Sequence, residues 1–328
     1  MTVRVYRSTD GSAPVLSGAA GALATVLDAV LVNGYGSKTA AGWAIEFTGT
    51  NKRVYRAASG NRLRLRVDDT GTSNARVIGY ESMSDVDTGT AGFPTDAQIS
   101  GGLYWLKSTL TDSTARAWLI IATGTMFYMF VNTGGAGAGS AWSSNVNSFG
   151  DFTSYKASDT SGVRIIGNIS TTVSSTNSHG LKCFTAATGS AISGAYVARA
   201  NNLIGGSINV GQAVSSLITG VVASYGNAQT IGSNIDWANG ALSNSAPTYP
   251  NAPDGALQMG RVFITESAVS LRGYLPGLWA PCIGAGTPPA FNDTWSGTGD
   301  LSGKTFELIL LSAGSNVGRV AIETSDTW

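Results

Sequence analysis

From Arg62 to Val67 the chain alternates Arg62, Arg64 and Arg66 with Leu63, Leu65 and Val67. A period of two sorts such a run into one apolar and one basic face only when the backbone is extended, so the segment reads as a β-strand with one side turned to a core. Val54 and Tyr55 precede it, and Ala58-Ser-Gly-Asn61 supplies turn residues, which makes 52–67 a hairpin. Short apolar runs bounded by turn residues recur at 3–7, 75–81, 103–108, 115–123, 126–131, 163–166, 182–185, 195–199, 216–223, 257–265, 306–311 and 318–323. Many short strands of this kind predict an all-β or mostly β chain.

One segment has the other period. Leu23, Val26, Leu27, Val30 and Leu31 recur at three- and four-residue spacing and Asn33-Gly34 follows, so an amphipathic helix is expected over 20–33, packed on a sheet. Residues 132–149 and 225–255 lack apolar periodicity and are rich in Gly, Ser and Asn. They read as long loops. The first is a candidate connection between a β-rich domain at 1–131 and a second at 150–328, the alternative being one continuous domain. The expected fold is an antiparallel β-sandwich or jelly-roll-like arrangement with one short helix near the N-terminus. The proline-rich LRGYLPGLWAPCIGAGTPPAF, 271–291, is read as a connection between strands.

Only 12% of the residues are charged, about half the usual share, and the formal net charge is zero. Such a chain has no overall field to draw in nucleic acid or an acidic membrane. A neutral, weakly charged surface associates readily, so copies of the chain itself are the first expected partner. Cys183 and Cys282 have no metal-ligand spacing and read as free thiols. The opening MTVRVYRSTDG lacks the basic-then-apolar pattern of a secretory leader, and the apolar stretch from Val15 to Val32 is broken by Gly18, Gly21 and Asp28, so no membrane insertion is expected.

Several motifs bear on chemistry. Gly297-Thr-Gly-Asp-Leu-Ser-Gly-Lys-Thr305 ends like a phosphate-binding loop, but the first glycine of that pattern would fall at Thr298, and a strand pattern rather than a helix follows. It reads as a turn, with Lys304 a solvated charge at a strand start. Asp85-Val-Asp87 begins a calcium-loop pattern without its remaining ligands. His179 is the single histidine and no GxSxG element accompanies it. Asp68, Asp69, Glu81, Asp85, Asp87, Asp293 and Asp300 all lie in turn-like sequence, and no pair of them is placed across a cleft by spacing alone. No catalytic residue, cofactor or metal is therefore expected.

Two groups of residues are candidates for contact with partners. Lys52 and Arg53, Arg56, Arg62, Arg64 and Arg66 fall within one hairpin, and such a stripe serves as a solvated face, as a subunit interface pairing with carboxylates, or as a DNA contact. The last has least support, because Tyr55 is the one aromatic interleaved for base stacking. Trp43, Trp105 and Trp118 lie in strand-like runs and read as core. Trp142, Trp237, Trp295 and Trp328 lie among Gly, Ser, Asn and Asp, where an indole plugs local packing, anchors a partner or stacks on a glycan.

The run VLSGAAGALATVLDAVLVNGYG, then GWAIEFTGTNKRVYRA, FGDFTSYKASD, SLRGYLPGLWAP and GTGDLSGKTFEL, resembles an uncharacterised group of structural proteins of tailed bacteriophages over most of the chain. The resemblance implies a non-enzymatic virion protein, assembled in the host cytoplasm, that joins copies of itself and other virion proteins in the tail apparatus (tail tip, baseplate, nozzle or fibre) and contacts host-surface glycan. A receptor-binding or polysaccharide-degrading tail protein and a capsid decoration protein are the alternatives. Its motifs transfer no functional residue.

Overall fold

The computed structural model describes residues 1–96, 101–134, 147–168, 195–197, 213–216, 223–225, 228–230, 255–257, 259–266, 270–281, 292–313 and 316–328. Strand β1 (Arg4–Arg7) leads to helix α1 (Ala22–Leu27), which runs without a break into a π-helical turn at Asp28–Asn33. Leu23, Val26, Leu27, Val30 and Leu31, the stripe read from the sequence, are all buried. Gly34 ends the segment at φ 78°, in the left-handed region that glycine enters without a side-chain clash.

A meander of β2 (Ala44–Gly49), β3 (Lys52–Arg56), β4 (Arg64–Asp68), β5 (Asn74–Met83) and β6 (Gly89–Phe93) forms the first sheet. β7 (Leu103–Leu106) pairs with the first half of β5, while β6 takes the second half. β8 (Trp118–Ala122) and β9 (Met126–Val131) form a hairpin around Gly124-Thr125. They belong to a second sheet with β1, β10 (Asn147–Asp151), β12 (Val163–Ile166) and β13 (Ala195–Val197), in the order β1-β8-β9-β10-β12-β13.

The short β11 (Thr153–Ser154) leaves that sheet for the third. The third sheet contains β14 (Ala213–Ser216), β17 (Met259–Glu266), β18 (Ser270–Pro281), β19 (Thr294–Ser296), β20 (Thr305–Ala313) and β21 (Asn316–Glu323), ordered β14-β17-β18-β21-β20-β19. A two-stranded hairpin, β15 (Ala223–Tyr225) with β16 (Ala228–Thr230), is a separate ladder beside β14 and β17, and it puts a strand inside the stretch read as a loop over 225–255. Every pairing among the described strands is antiparallel, and the fold is mainly β with one short helix.

The second sheet lies between the other two layers. Trp118, Ile120, Phe127, Met129 and Val131 join α1 and the first sheet in one core, whereas Leu119, Ile121, Met126, Tyr128 and Phe130 face a second core with Val262, Ile264, Leu278, Ile309 and Ile322. All residues of β8 and β9 are buried, since a sheet covered on both faces has no solvent side for a polar residue. The stretch read as a loop over 132–149 ends in a strand instead: β10 begins at Asn147 and pairs with β9, with Phe127 opposite Phe149. The second core brings Val3 and Leu119 against residues near the chain's far end.

The stretch expected as a connection between strands contains a strand instead. SLRGYLPGLWAP is β18, and Pro276 within it lies at an irregularity of the ladder, where a missing backbone N–H breaks no regular pair.

Candidate functional site

In the β3–β4 hairpin the register sets Arg56 opposite Arg64, Val54 opposite Arg66 and Lys52 opposite Asp68. Tyr55, Leu63, Leu65 and Val67 enter the first core as the alternation requires. The arginines take separate roles. Arg64 donates from Nε to Glu46 at 2.8 Å and Arg56 reaches the same carboxylate at 3.3 Å. Arg66 pairs with Asp68 at 3.0 Å and with Asp87, and Lys52 shares Asp87 at 2.9 Å. Arg53 sits on the other face, donating to Asp28 of the π-helical turn at 2.9 Å. Arg62 is exposed in the turn before β4, with φ 55°.

These contacts pair every basic residue of the hairpin except Arg62 with a carboxylate from within the chain. The hydrogen bond from Arg64 holds the Glu46 carboxyl below its ordinary range, and those from Lys52 and Arg66 do the same for Asp87. Asp87 is thereby a partner of cations on its own surface. Among the described residues no group of three or more His, Cys, Asp or Glu is arranged to hold a metal ion. His179, Cys183, Cys282, Trp142 and Trp237 lie outside the described residues.

Trp43, Trp105 and Trp118 are buried, and each indole N–H finds a carbonyl: Thr123 at 2.8 Å, Ile166 at 2.7 Å and Pro14 at 3.1 Å. Trp295 differs. It is half-buried on β19 and stacks on Phe306 with centroids 5.7 Å apart and planes at 23°. In the loop that ends Gly-Lys-Thr, Gly299–Leu301 is a single 3-10 turn and β20 follows directly. Lys304 donates to Glu323 at 2.6 Å and to the Thr327 carbonyl at 3.0 Å, so it is a tether between strand ends rather than a free solvated charge.

Buried charges mark the interior. Asp69 and Lys107 form a fully buried pair, and Arg272 clamps Asp159 through two bonds of 2.7 and 2.8 Å. Burial works against the charged form of Asp159, but the bonds from Arg272 and Ser154 outweigh it and hold the carboxyl low. Arg164 is 1% exposed and faces the Tyr128 ring at 5.1 Å, donating to Ser148 at 3.0 Å. Asp69 is sealed from solvent, and Asp68 and Asp87 pair with cations of their own chain. No family model, curated protein or solved structure matches the chain.

Asp151 gives a pH-dependent expectation. Its carboxylate accepts the Asn61 backbone N–H at 3.0 Å, tying the β3–β4 turn to the second sheet. Burial pushes its pKa up to about 6, against the opposing pull of Asn61 and Arg164. The folded state then holds a proton that the unfolded chain has released above about pH 4, so stability falls as pH rises from about 4 to about 6 and stays reduced above that. Asp151→Asn should therefore raise stability near neutral pH by on the order of 2–3 kcal/mol and leave it unchanged near pH 4. Urea titrations at the two pH values check this, and an equal effect at both would contradict it.

The sequence reading singled out neither Lys107 nor Asp151. Both stand in ordinary strand-end contexts, and no local signal marks a lysine or aspartate whose partner lies tens of residues away.

Proposed function

We propose that the chain is a structural component of a tailed-bacteriophage virion, in the tail apparatus, which works by assembling with copies of itself and neighbouring virion proteins. The observation that carries this reading is the fate of the charges. In a chain with only 12% charged residues, Arg53, Arg56, Arg64 and Arg66 each pair with a carboxylate of the same chain. A chain with few charges and no net charge associates readily. Three stacked sheets with two separate cores suit a rigid building block. Half-exposed Trp295 favours host-surface contact as a second role.

Light scattering of the purified protein at micromolar concentration is expected to return a single homo-oligomeric mass. A monomer under those conditions, or absence of the chain from the density of a purified phage particle that encodes it, would overturn the reading.

A further inference from the structure

The outer face of the third sheet carries a row of aromatic rings with one cation set among them. Arg261 of β17 lies opposite Trp279 of β18. Its guanidinium carbon is 4.0 Å from the Tyr274 ring centroid and 5.1 Å from that of Trp279. Residues 274 and 279 are five apart, and in a regular strand they would point to opposite faces. The ladder shifts register there: Arg261 pairs with Trp279 but Phe263 with Tyr274, so the four residues between are gathered into a bulge. Leu275 and Leu278 of that bulge enter the inner core, and the Pro276 carbonyl accepts the Tyr128 hydroxyl at 2.8 Å. Gly277 permits it with φ 68°, where a Cβ would stand 2.2 Å from the Trp328 indole. The bulge thereby returns both rings to the same side, around Arg261.

The row extends both ways. Trp279 meets Phe306 edge-on at 6.1 Å, and Trp295 lies flat over Phe306. At the other end Tyr155, 57% exposed, is 6.0 Å from Tyr274. Between β17 and β19 there are four strand steps, or roughly 19 Å at the usual inter-strand spacing. Arg261 is exposed and, among the described residues, meets no carboxylate, in contrast to the internally paired arginines of the first sheet. A guanidinium held between rings keeps its N–H edges for a ligand and complements a carboxylate. Half-exposed indole and phenol faces complement the C–H faces of sugar rings through the negative face of their π-systems.

We propose that this row binds an acidic polysaccharide, with Arg261 pairing a sugar carboxylate and Tyr274, Trp279 and Trp295 stacking on sugar rings. Binding needs this sheet alone, so the inference goes beyond the assembly reading and stands without it. The test is affinity electrophoresis of the full chain in gels containing polygalacturonate or neutral dextran, with light scattering in parallel. Polygalacturonate should retard the wild-type protein in a salt-sensitive manner and dextran should not. Arg261→Gln, on an exposed side chain, should weaken retardation by about tenfold or more. Trp295→Ala should weaken it several-fold, and Arg62→Gln, an exposed arginine on the first sheet, should leave it unchanged. Absence of retardation, equal retardation by dextran, or an Arg261→Gln protein that binds as wild type would overturn the proposal. A change of oligomeric mass in Arg261→Gln would also overturn it, since the row would then be a contact between copies.

Discussion

Replacing Lys107 by Met should destabilise the fold by about 3–5 kcal/mol, because it strands a carboxylate in the interior. Asp69 and Lys107 are both 0% exposed. The ammonium contacts Asp69 and donates to the carbonyls of Ala19 at 2.7 Å and Gly71 at 3.1 Å, so all three of its N–H groups are used. Asp69 in turn accepts the backbone N–H groups of Leu23 at 2.8 Å and Ala24 at 3.1 Å. Those are first-turn donors of α1, which Gly21 at the N-cap has no side chain to satisfy. Burial pushes the Asp69 carboxyl upward, and Lys107 is the main force against it. Without the lysine the site holds an unpaired charge or takes up a proton. Adding Asp69→Asn to Lys107→Met should recover part of the loss, since the amide removes the charge and still accepts from α1. Urea denaturation of the wild type, the two single variants and the double variant measures the coupling. A loss below about 1 kcal/mol for Lys107→Met would show that the pair is not what holds α1 to the first sheet.

Trp105→Ala should cost a similar amount, about 3–5 kcal/mol, for a different reason. Trp105 is 0% exposed and belongs to the first sheet, yet its indole N–H donates to Ile166 in the second at 2.7 Å. Its ring meets Phe127 edge-on with centroids 5.6 Å apart. Truncation empties an indole's volume between two layers and leaves a carbonyl without its donor. Trp105→Phe separates the two effects. It keeps most of the ring and forfeits the hydrogen bond, and about 1–3 kcal/mol is expected. Thermal and urea unfolding, with near-ultraviolet circular dichroism for packing, read both variants. Equal losses in Phe and Ala would mean that the hydrogen bond dominates and the ring volume matters little.

The elements that were legible are those whose pattern is local. β9 and β12 coincide with the apolar runs at 126–131 and 163–166, and the 20–33 stripe is the buried face of α1 and its π-helical extension. β20 covers 305–313, which settles the Gly-Lys-Thr sequence as a turn before a strand. The charges read differently. Six basic residues in one hairpin look like a stripe until Glu46, Asp28 and Asp87 are brought to five of them by β2, by the helical segment and by the turn after β5. The ring row around Arg261 was hidden by parity, because a five-residue separation points to opposite faces unless a bulge intervenes. Pro276 in that bulge is also what made β18 look like a connection.

The amino-acid sequence by itself determined the class of this protein. Side-chain alternation and turn-forming residues depend only on near neighbours, and they dictate an antiparallel β chain with one amphipathic helix. Tertiary structure alone decided that the second sheet is buried on both faces, that the basic residues of the hairpin other than Arg62 meet carboxylates of their own chain, and that Arg261, among the described residues, meets aromatic rings and no carboxylate. Those outcomes depend on which faces meet across layers. A face is set by periodicity, but its partner is set by long-range stacking, which local pattern does not encode.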